Sequence, residues 1–307
     1  MILNSFLPSE LMAFLLEIEE RGFSLCLVGG AVRDYLAEAI VSSDLDFEIR
    51  ANSQTSDEEW PVYYERLIKF FEENKIKITR YPYLITKIDF TGWSLEFSSP
   101  RLEVFEDPQS HSHHNFKALL SSNLIYSESF KRRDFTINAM GFELSCKNNS
   151  MKLIDPFHGE KHLQEKKLCF IDQNFFKDSV RFLRMIRFSV KYELAIDDTL
   201  VSQVSQFNLS ALSKYHFTSE LFKTDPGKFL NHFKKLVKRH KIQLPEDFIF
   251  WADEKIDWPV DKMKTREDVL SFVFHIQRDT ATKVQDFFSL PQKKLRELIK
   301  NEKAGTE

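Results

Sequence analysis

Cysteine is scarce in this 307-residue chain: Cys26, Cys146 and Cys169 are three in number and share no paired spacing. That excludes a disulfide framework and a cysteine-based zinc site, and makes a reducing cytoplasm the default location. Long apolar runs are missing as well. The longest in the N-terminal stretch, residues 11–16, is far below the ~20 residues a membrane helix needs. That stretch also lacks a basic leader and is broken by Glu10, Glu17, Glu19 and Glu20, so neither export nor membrane insertion is expected. Neither sign of charge dominates: 43 Lys+Arg against 46 Asp+Glu leave a net −3, which excludes a wholly basic nucleic-acid binder but not local basic patches. No internal repeat marks a solenoid.

What is present is a core-building composition, 42% hydrophobic with 30 phenylalanines, in a chain long enough for about two domains. Ser9 after Pro8 predicts an N-cap for a helix ending near Arg21. Residues 23–28 form a short apolar run that stops at Gly29-Gly30, followed by a helical pattern over 31–39, giving a strand, glycine turn and helix. Residues 44–49 alternate acidic and apolar, as a strand with one wet face does. A helix is expected over 60–73, and strands over 83–90 and 93–98 joined by Thr91-Gly92. From Leu102 to Ser129 the pattern dissolves into a polar stretch carrying His111, His113 and His114, too long for a simple connection. These histidines read as loop residues or as transition-metal ligands. Residues 135–140 look helical, 141–146 and 151–154 form a closing hairpin, and helices are expected over 175–192, 198–207, 209–223 and 227–240. The fold class is therefore α+β. A mixed-sheet head spans 1–160, a helical neck 161–235 and a short helical body and tail 236–307.

Several residues carry chemistry. Asp44 and Asp46, two apart on a strand, project from one face about 7 Å apart along the backbone. Oxygen ligands so placed suit a pair of Mg²⁺ ions for in-line nucleotidyl displacement; Glu96 is available as a third acid. The alternative is chance, since acid-x-acid pairs recur at Glu17/Glu19 and Asp57/Glu59. Gly29-Gly30 opens a helix where backbone amides can cradle phosphate, with Arg33 one turn in, or merely makes a tight turn. Lys131-Arg132-Arg133 precede Asp134 and Asn138, four apart, either a ribose and phosphate grip or a capped helix with solvated cations. Asp178, Arg181 and Arg184 recur at three-residue spacing, as a reader of base edges or as ordinary helix pairs. Lys228, Lys234, Lys235, Lys238, Arg239 and Lys241 lie in an acid-free amphipathic span. Lys234, Lys235, Lys238 and Arg239 are its candidate RNA contacts, with a solvated helix as the alternative.

Taken in order, LVGGAVRDYL, SDLDFEI, LEFSSPR, KRRDFTINAM, DPFHG and KDSVRFLRMIRF resemble the class II tRNA nucleotidyltransferase and poly(A) polymerase family over residues 23–195. The resemblance implies a polymerase-β-like nucleotidyltransferase head, two Mg²⁺ ions, and CTP and ATP added to the tRNA 3′ end to complete CCA. By the same resemblance Asp44 and Asp46 match the metal-binding pair, Gly29, Gly30 and Arg33 the triphosphate motif, and Arg132, Arg133, Asp134 and Asn138 the ribose motif. Asp178 and Arg181 match the amino-acid template for the incoming base, and 102–129 falls where the family has a loop linked to adding the terminal A. Lys177 stands where that template usually carries Glu. His158 and His162 replace Gly and Asp of the hinge-like motif, and Tyr215-His-Phe-Thr-Ser-Glu220 is only faintly similar to the neck motif. An A-adding or CC-adding enzyme, a poly(A) polymerase and a catalytically silent RNA-binding protein stay open as alternatives.

Overall fold

The computed structural model describes residues 1–104, 116–276 and 287–288, and they fall into two compact units, the first running to Asp172 and the second beginning at Gln173. The first unit is built on strand alternation. In Asp44–Ala51 (β2) Leu45, Phe47 and Ile49 are fully buried on one face, while Asp44, Asp46 and Glu48 lie on the other. Phe23–Val28 (β1) runs antiparallel to β2 and is preceded by Ser9–Glu20 (α1). Between β1 and β2 stands Gly30–Glu38 (α2). Trp60–Glu73 (α3) then leads to Ile78–Tyr81 (β3), Ile85–Phe90 (β4) and Trp93–Ser98 (β5). Gly141–Ser145 (β8) and Ser150–Ile154 (β9) complete a seven-stranded mixed sheet of order β3-β4-β5-β2-β1-β8-β9, in which β2 and β5 are parallel. Arg101–Val104 (β6) and Lys117–Leu120 (β7) make a separate two-stranded ribbon, followed by the short helix Tyr126–Ser129 (α4). Gly159–Gln164 (α5) closes the series.

The apolar face of β2 and β5 is sealed by aromatic rings. Phe47 stacks on Phe97 with centroids 5.3 Å apart, and Phe71 of α3 meets Phe97 at 5.5 Å. Trp60, Tyr64, Leu67, Ile68 and Phe71 recur at helical spacing and are buried, which is why α3 docks on this face. Its polar tips are satisfied there: Trp60 Nε1 donates to Ser99 Oγ at 2.8 Å, and the Tyr64 hydroxyl donates to the Phe97 carbonyl at 2.9 Å. Phe14 of α1 stacks on Phe90 at 4.1 Å.

The second unit is mainly helical among the described residues, with Ser179–Lys191 (α6), Asp198–Gln203 (α7), Lys214–Leu221 (α8), Pro226–His240 (α9), Glu246–Ile249 (α10) and Arg266–Ile276 (α11), and one two-residue strand, Ala195–Ile196. Phe217 of α8 sits at its centre, within 6 Å of the rings of Phe229, Phe233, Phe248 and Trp251. Among the described residues no helix is long and apolar enough to cross a membrane.

Several sequence expectations are corrected. Ser9 is the first helical residue of α1 rather than its cap; Pro8, extended at φ −68°, takes the cap position without any side-chain cap bond. The region 102–129 holds the legs of the β6–β7 ribbon and α4, because Arg101↔Leu120 to Val104↔Lys117 pair across it; residues 105–115, with all three loop histidines, lie outside the described residues. Residues 135–140 form a single 3₁₀ turn, Thr136–Asn138, since Phe135 is extended at φ −117°. The helix expected over 175–192 is broken at Asp178, with a 3₁₀ segment, Gln173–Lys177, before α6. That expected over 209–223 begins only at Lys214, where the Ser213 hydroxyl accepts the His216 N–H.

Removing the ring that joins the sheet to α3 tests this core. Phe97→Ala should cost about 3–5 kcal/mol, read as a lower urea midpoint at unchanged m-value.

Candidate active site

The wet face of the sheet gathers charge by register. Asp46 on β2 pairs directly with Glu96 on β5, Glu96 with Lys87 on β4, and Asp44 reaches Lys87 Nζ at 3.7 Å. Withdrawal from water raises the Asp46 carboxyl above its ordinary value against the pull of Arg133, and Asp44 pushes it the same way. Glu96 is raised by the same loss of water and by Asp46. Carboxylates that disfavour one another's charge are what a divalent cation relieves, and hard oxygen donors suit Mg²⁺, which uses one or two carboxylates together with substrate phosphates. Among the described residues no group of three or more His, Cys, Asp or Glu is placed to hold a metal alone, so the donor set fits that shared mode of binding.

Beside these acids lies the glycine turn. Gly29 has φ 79° and ψ −128°, which side chains rarely adopt. A Cβ there would meet Arg133 Nη1 at 2.9 Å and Asp46 Oδ2 at 3.8 Å, so glycine keeps the backbone open between an acid and a guanidinium. Gly30 begins α2, whose first turn carries Arg33. The Arg33 guanidinium is held at both ends: Nη1 donates to Asn138 Oδ1 at 2.5 Å, and Nε donates to Asp34 Oδ1 at 2.9 Å. Asn138 Nδ2 in turn donates to Asp134 Oδ1 at 2.9 Å, and the same oxygen accepts the Phe135 N–H at 2.8 Å. The four-residue spacing thus brings Asp134 and Asn138 together through a 3₁₀ turn and a backbone cap rather than along a helix face. Arg133 Nη1 donates to the Asn138 carbonyl at 3.2 Å, which ties the basic segment to the same turn.

Arg132 enters a positive environment. Burial pulls it down to about 9, Arg101 and Arg133 repel it, and Glu103 and Glu48 pull the other way. An incoming polyanion would relieve that repulsion. Glu48 and Lys87 were not singled out from the sequence. Glu48 is fully buried, accepts from the Ser129 hydroxyl at 3.0 Å and pairs with Arg50. The strand alternation that marked Asp44 and Asp46 carries on to Glu48, whereas Lys87 is found only through cross-strand register.

The remaining candidates belong to the second unit. Asp178 is the cap of α6: Oδ1 accepts the Val180 N–H at 2.8 Å while Oδ2 faces Arg181 Nε at 3.8 Å, both residues being buried. Arg184 lies over the Phe188 ring at 5.3 Å. The helix is anchored from behind by Arg187, whose Nε is 2.5 Å from Glu220 Oε2, and Lys223 Nζ donates to Glu220 Oε1 at 2.9 Å. On α9 the four candidate RNA contacts separate. Lys234 Nζ donates to the Ile256 carbonyl at 2.6 Å and the exposed Lys238 pairs with Glu254 at 2.8 Å, whereas Lys235 and Arg239, also exposed, have no hydrogen bond or ion pair among the described residues.

Residues 25–169 match the model of the poly A polymerase head domain. A CCA-adding enzyme of Listeria monocytogenes serotype 4b is 25% identical over 289 residues, covering 89% of this chain and 66% of the relative, just under two thirds of its length. A multifunctional CCA protein of Vibrio cholerae is 30% identical over 173 residues, 54% of this chain and 35% of its own. Among solved structures, a CCA-adding enzyme in an apo form superposes with a TM-score of 0.65 at 22% identity, covering 98% of this chain and 73% of that one, which establishes a shared fold.

Because Asp46 and Glu96 are raised in the folded state, their ionisation opposes folding: the stability they allow at low pH is lost as pH rises through their folded values. Metal-free Asp46→Asn should therefore unfold at higher urea than the parent at pH near 7, with the gap closing as the pH falls below the carboxylate range. A gap independent of pH would contradict this.

Proposed function

We propose, from the match of residues 25–169 to the poly A polymerase head domain, that the chain completes the 3′ CCA end of tRNA with CTP and ATP, in the cytoplasm. The observation that carries the reading is the glycine turn at Gly29, open between Asp46 and Arg133 on the face that also holds Asp44 and Glu96. A polyphosphate there meets backbone amides, a guanidinium and acids suited to a divalent cation within one site.

In this reading Asp44 and Asp46 hold two Mg²⁺ ions, which when bound activate the RNA 3′-hydroxyl and steady the leaving pyrophosphate. Glu96, raised above the ordinary carboxylate value by loss of water and by Asp46 opposite it in register, stands ready to take the proton of the attacking hydroxyl as that oxygen joins the α-phosphate. Gly29 and Gly30 present amides to the triphosphate, and Arg33, fixed by Asn138 and Asp34, is a preset cation beside them. Arg132 and Arg133 bind phosphate, and the Asp134–Asn138 pair holds the ribose. In the neck, 161–235, Asp178 and Arg181 read the base, with Arg184 on the same helix. The cap bond from Val180 fixes the Asp178 carboxylate, and Glu220 fixes α6 through Arg187. Both supports are independent of the acid that Lys177 replaces. The basic helix α9 supplies RNA contacts.

Three measurements test the proposal. Asp46→Ala should abolish incorporation while changing RNA affinity by less than about twofold; retained incorporation would sink it. Three tRNA transcripts, ending before CCA, after one C and after CC, should each grow to the CCA end and stop when given CTP, ATP and Mg²⁺. Growth of the CC-ended transcript alone would move the activity to A-addition, and unchecked ATP tails would move it to polyadenylation. Arg181→Ala should lose the choice between CTP and ATP more than it loses turnover.

A further inference from the structure

We propose that α9 binds the phosphodiester backbone of RNA along one row of side chains, Lys228, His232, Lys235 and Arg239, and that the adjacent row does not take part. The inference rests on the RNA-directed reading above and specifies which residues of the basic helix serve it.

At 3.6 residues per turn, positions 228, 232, 235 and 239 fall within about 60° of one another around the helix and extend about 16 Å along it. All four are exposed. The buried side of α9, Phe229, Leu230, Phe233, Leu236 and Val237, lies well away from this row, so the helix is held in the unit without using it. The flanking row, Asn231, Lys234 and Lys238, is occupied: Asn231 Nδ2 donates to the Trp258 carbonyl at 2.8 Å, Lys234 Nζ to the Ile256 carbonyl at 2.6 Å, and Lys238 pairs with Glu254 at 2.8 Å. Among the described residues the side chains of Lys235 and Arg239 have no hydrogen bond or ion pair. Lys228 lies beside Asp225, whose carboxylate already bonds Lys264 Nζ at 2.6 Å. No acid occurs from Pro226 to Pro245.

A row of like charges held this close, three or four residues apart, destabilises a bare helix. A line of cations in which Lys235 and Arg239 have no counter-charge among the described residues fits a partner that repeats negative charge along a line, as a nucleic-acid backbone does. Loss of water and the neighbouring Lys235 and Lys228 disfavour the charged form of His232, which lies between those two lysines.

The test is direct binding of the full chain to a fluorescein-labelled RNA stem-loop with a 3′-deoxy end, which cannot be extended, followed by anisotropy between about 50 and about 200 mM salt. Lys235→Ala/Arg239→Ala should weaken binding and reduce the slope of log K against log salt by about 1.5–2, at just under one per phosphate contact. Lys235→Arg/Arg239→Lys should keep the slope, and Lys234→Ala/Lys238→Ala should leave it unchanged while lowering thermal stability. An unchanged slope in the first variant, or an equal loss in the flanking-row variant, overturns the proposal. If the parent chain itself binds no RNA, both this inference and the tRNA reading fail. If it binds RNA, extends tRNA and ignores the stripe substitutions, the row alone is refuted.

Discussion

The parallel pairing of β2 on β5 is the constraint from which the head's chemistry follows. It sets Asp46 opposite Glu96, and the antiparallel neighbour β4 sets Lys87 opposite Glu96 in turn, so one row of the sheet alternates acid, acid and base. A slip of one residue in that register would turn Leu45 and Phe47 outward and bury the acids. The aromatic stack of Phe47, Phe97 and Phe71 prevents the slip, because those rings have a place only on the α3 side. Core packing and site geometry are thus two faces of one strand alternation.

The site holds its charges in tension. Asp46 and Glu96 are crowded together, Arg132 is crowded by Arg101 and Arg133, and Gly29 keeps the two groups apart by less than one side chain. Such an arrangement costs stability in the empty protein and favours a substrate that brings both cation and polyanion. A preorganised set of dipoles and charges needs no rearrangement at the moment of reaction. The Asp134–Asn138–Arg33 chain of hydrogen bonds supplies the stiffness, linking the 3₁₀ turn to the helix that opens at the glycines.

In the second unit a single carboxylate does two jobs. Asp178 caps α6 with one oxygen and faces Arg181 with the other, so the helix terminus fixes the geometry of the pair. Behind it the buried Arg187–Glu220 pair joins α6 to α8, and breaking one partner would leave an uncompensated charge. Lys177 sits in the 3₁₀ segment just before the cap, outside the helix whose start Asp178 defines.

The sequence by itself determined β1, β2 and the β4–β5 hairpin, because the alternation of 44–49, the glycine turn after 28 and the Thr91-Gly92 turn are local patterns with local physical causes. It also determined which motifs carry charge, since spacing along one strand or one helix turn needs no partner. It left the edge strand β3 unseen, because an edge exposed on both faces has no apolar alternation, and it read 135–140 and 175–192 as unbroken helices where Asp134 and Asp178 instead bond backbone N–H groups. Only the tertiary structure decided that Lys87 stands opposite Glu96, that Glu48 is buried against Ser129 and Arg50, and that Lys234 and Lys238 contact a neighbouring segment while, among the described residues, Lys235 and Arg239 do not. Those facts depend on which chain segment, distant in sequence, reaches a given side chain, and register and packing alone fix that.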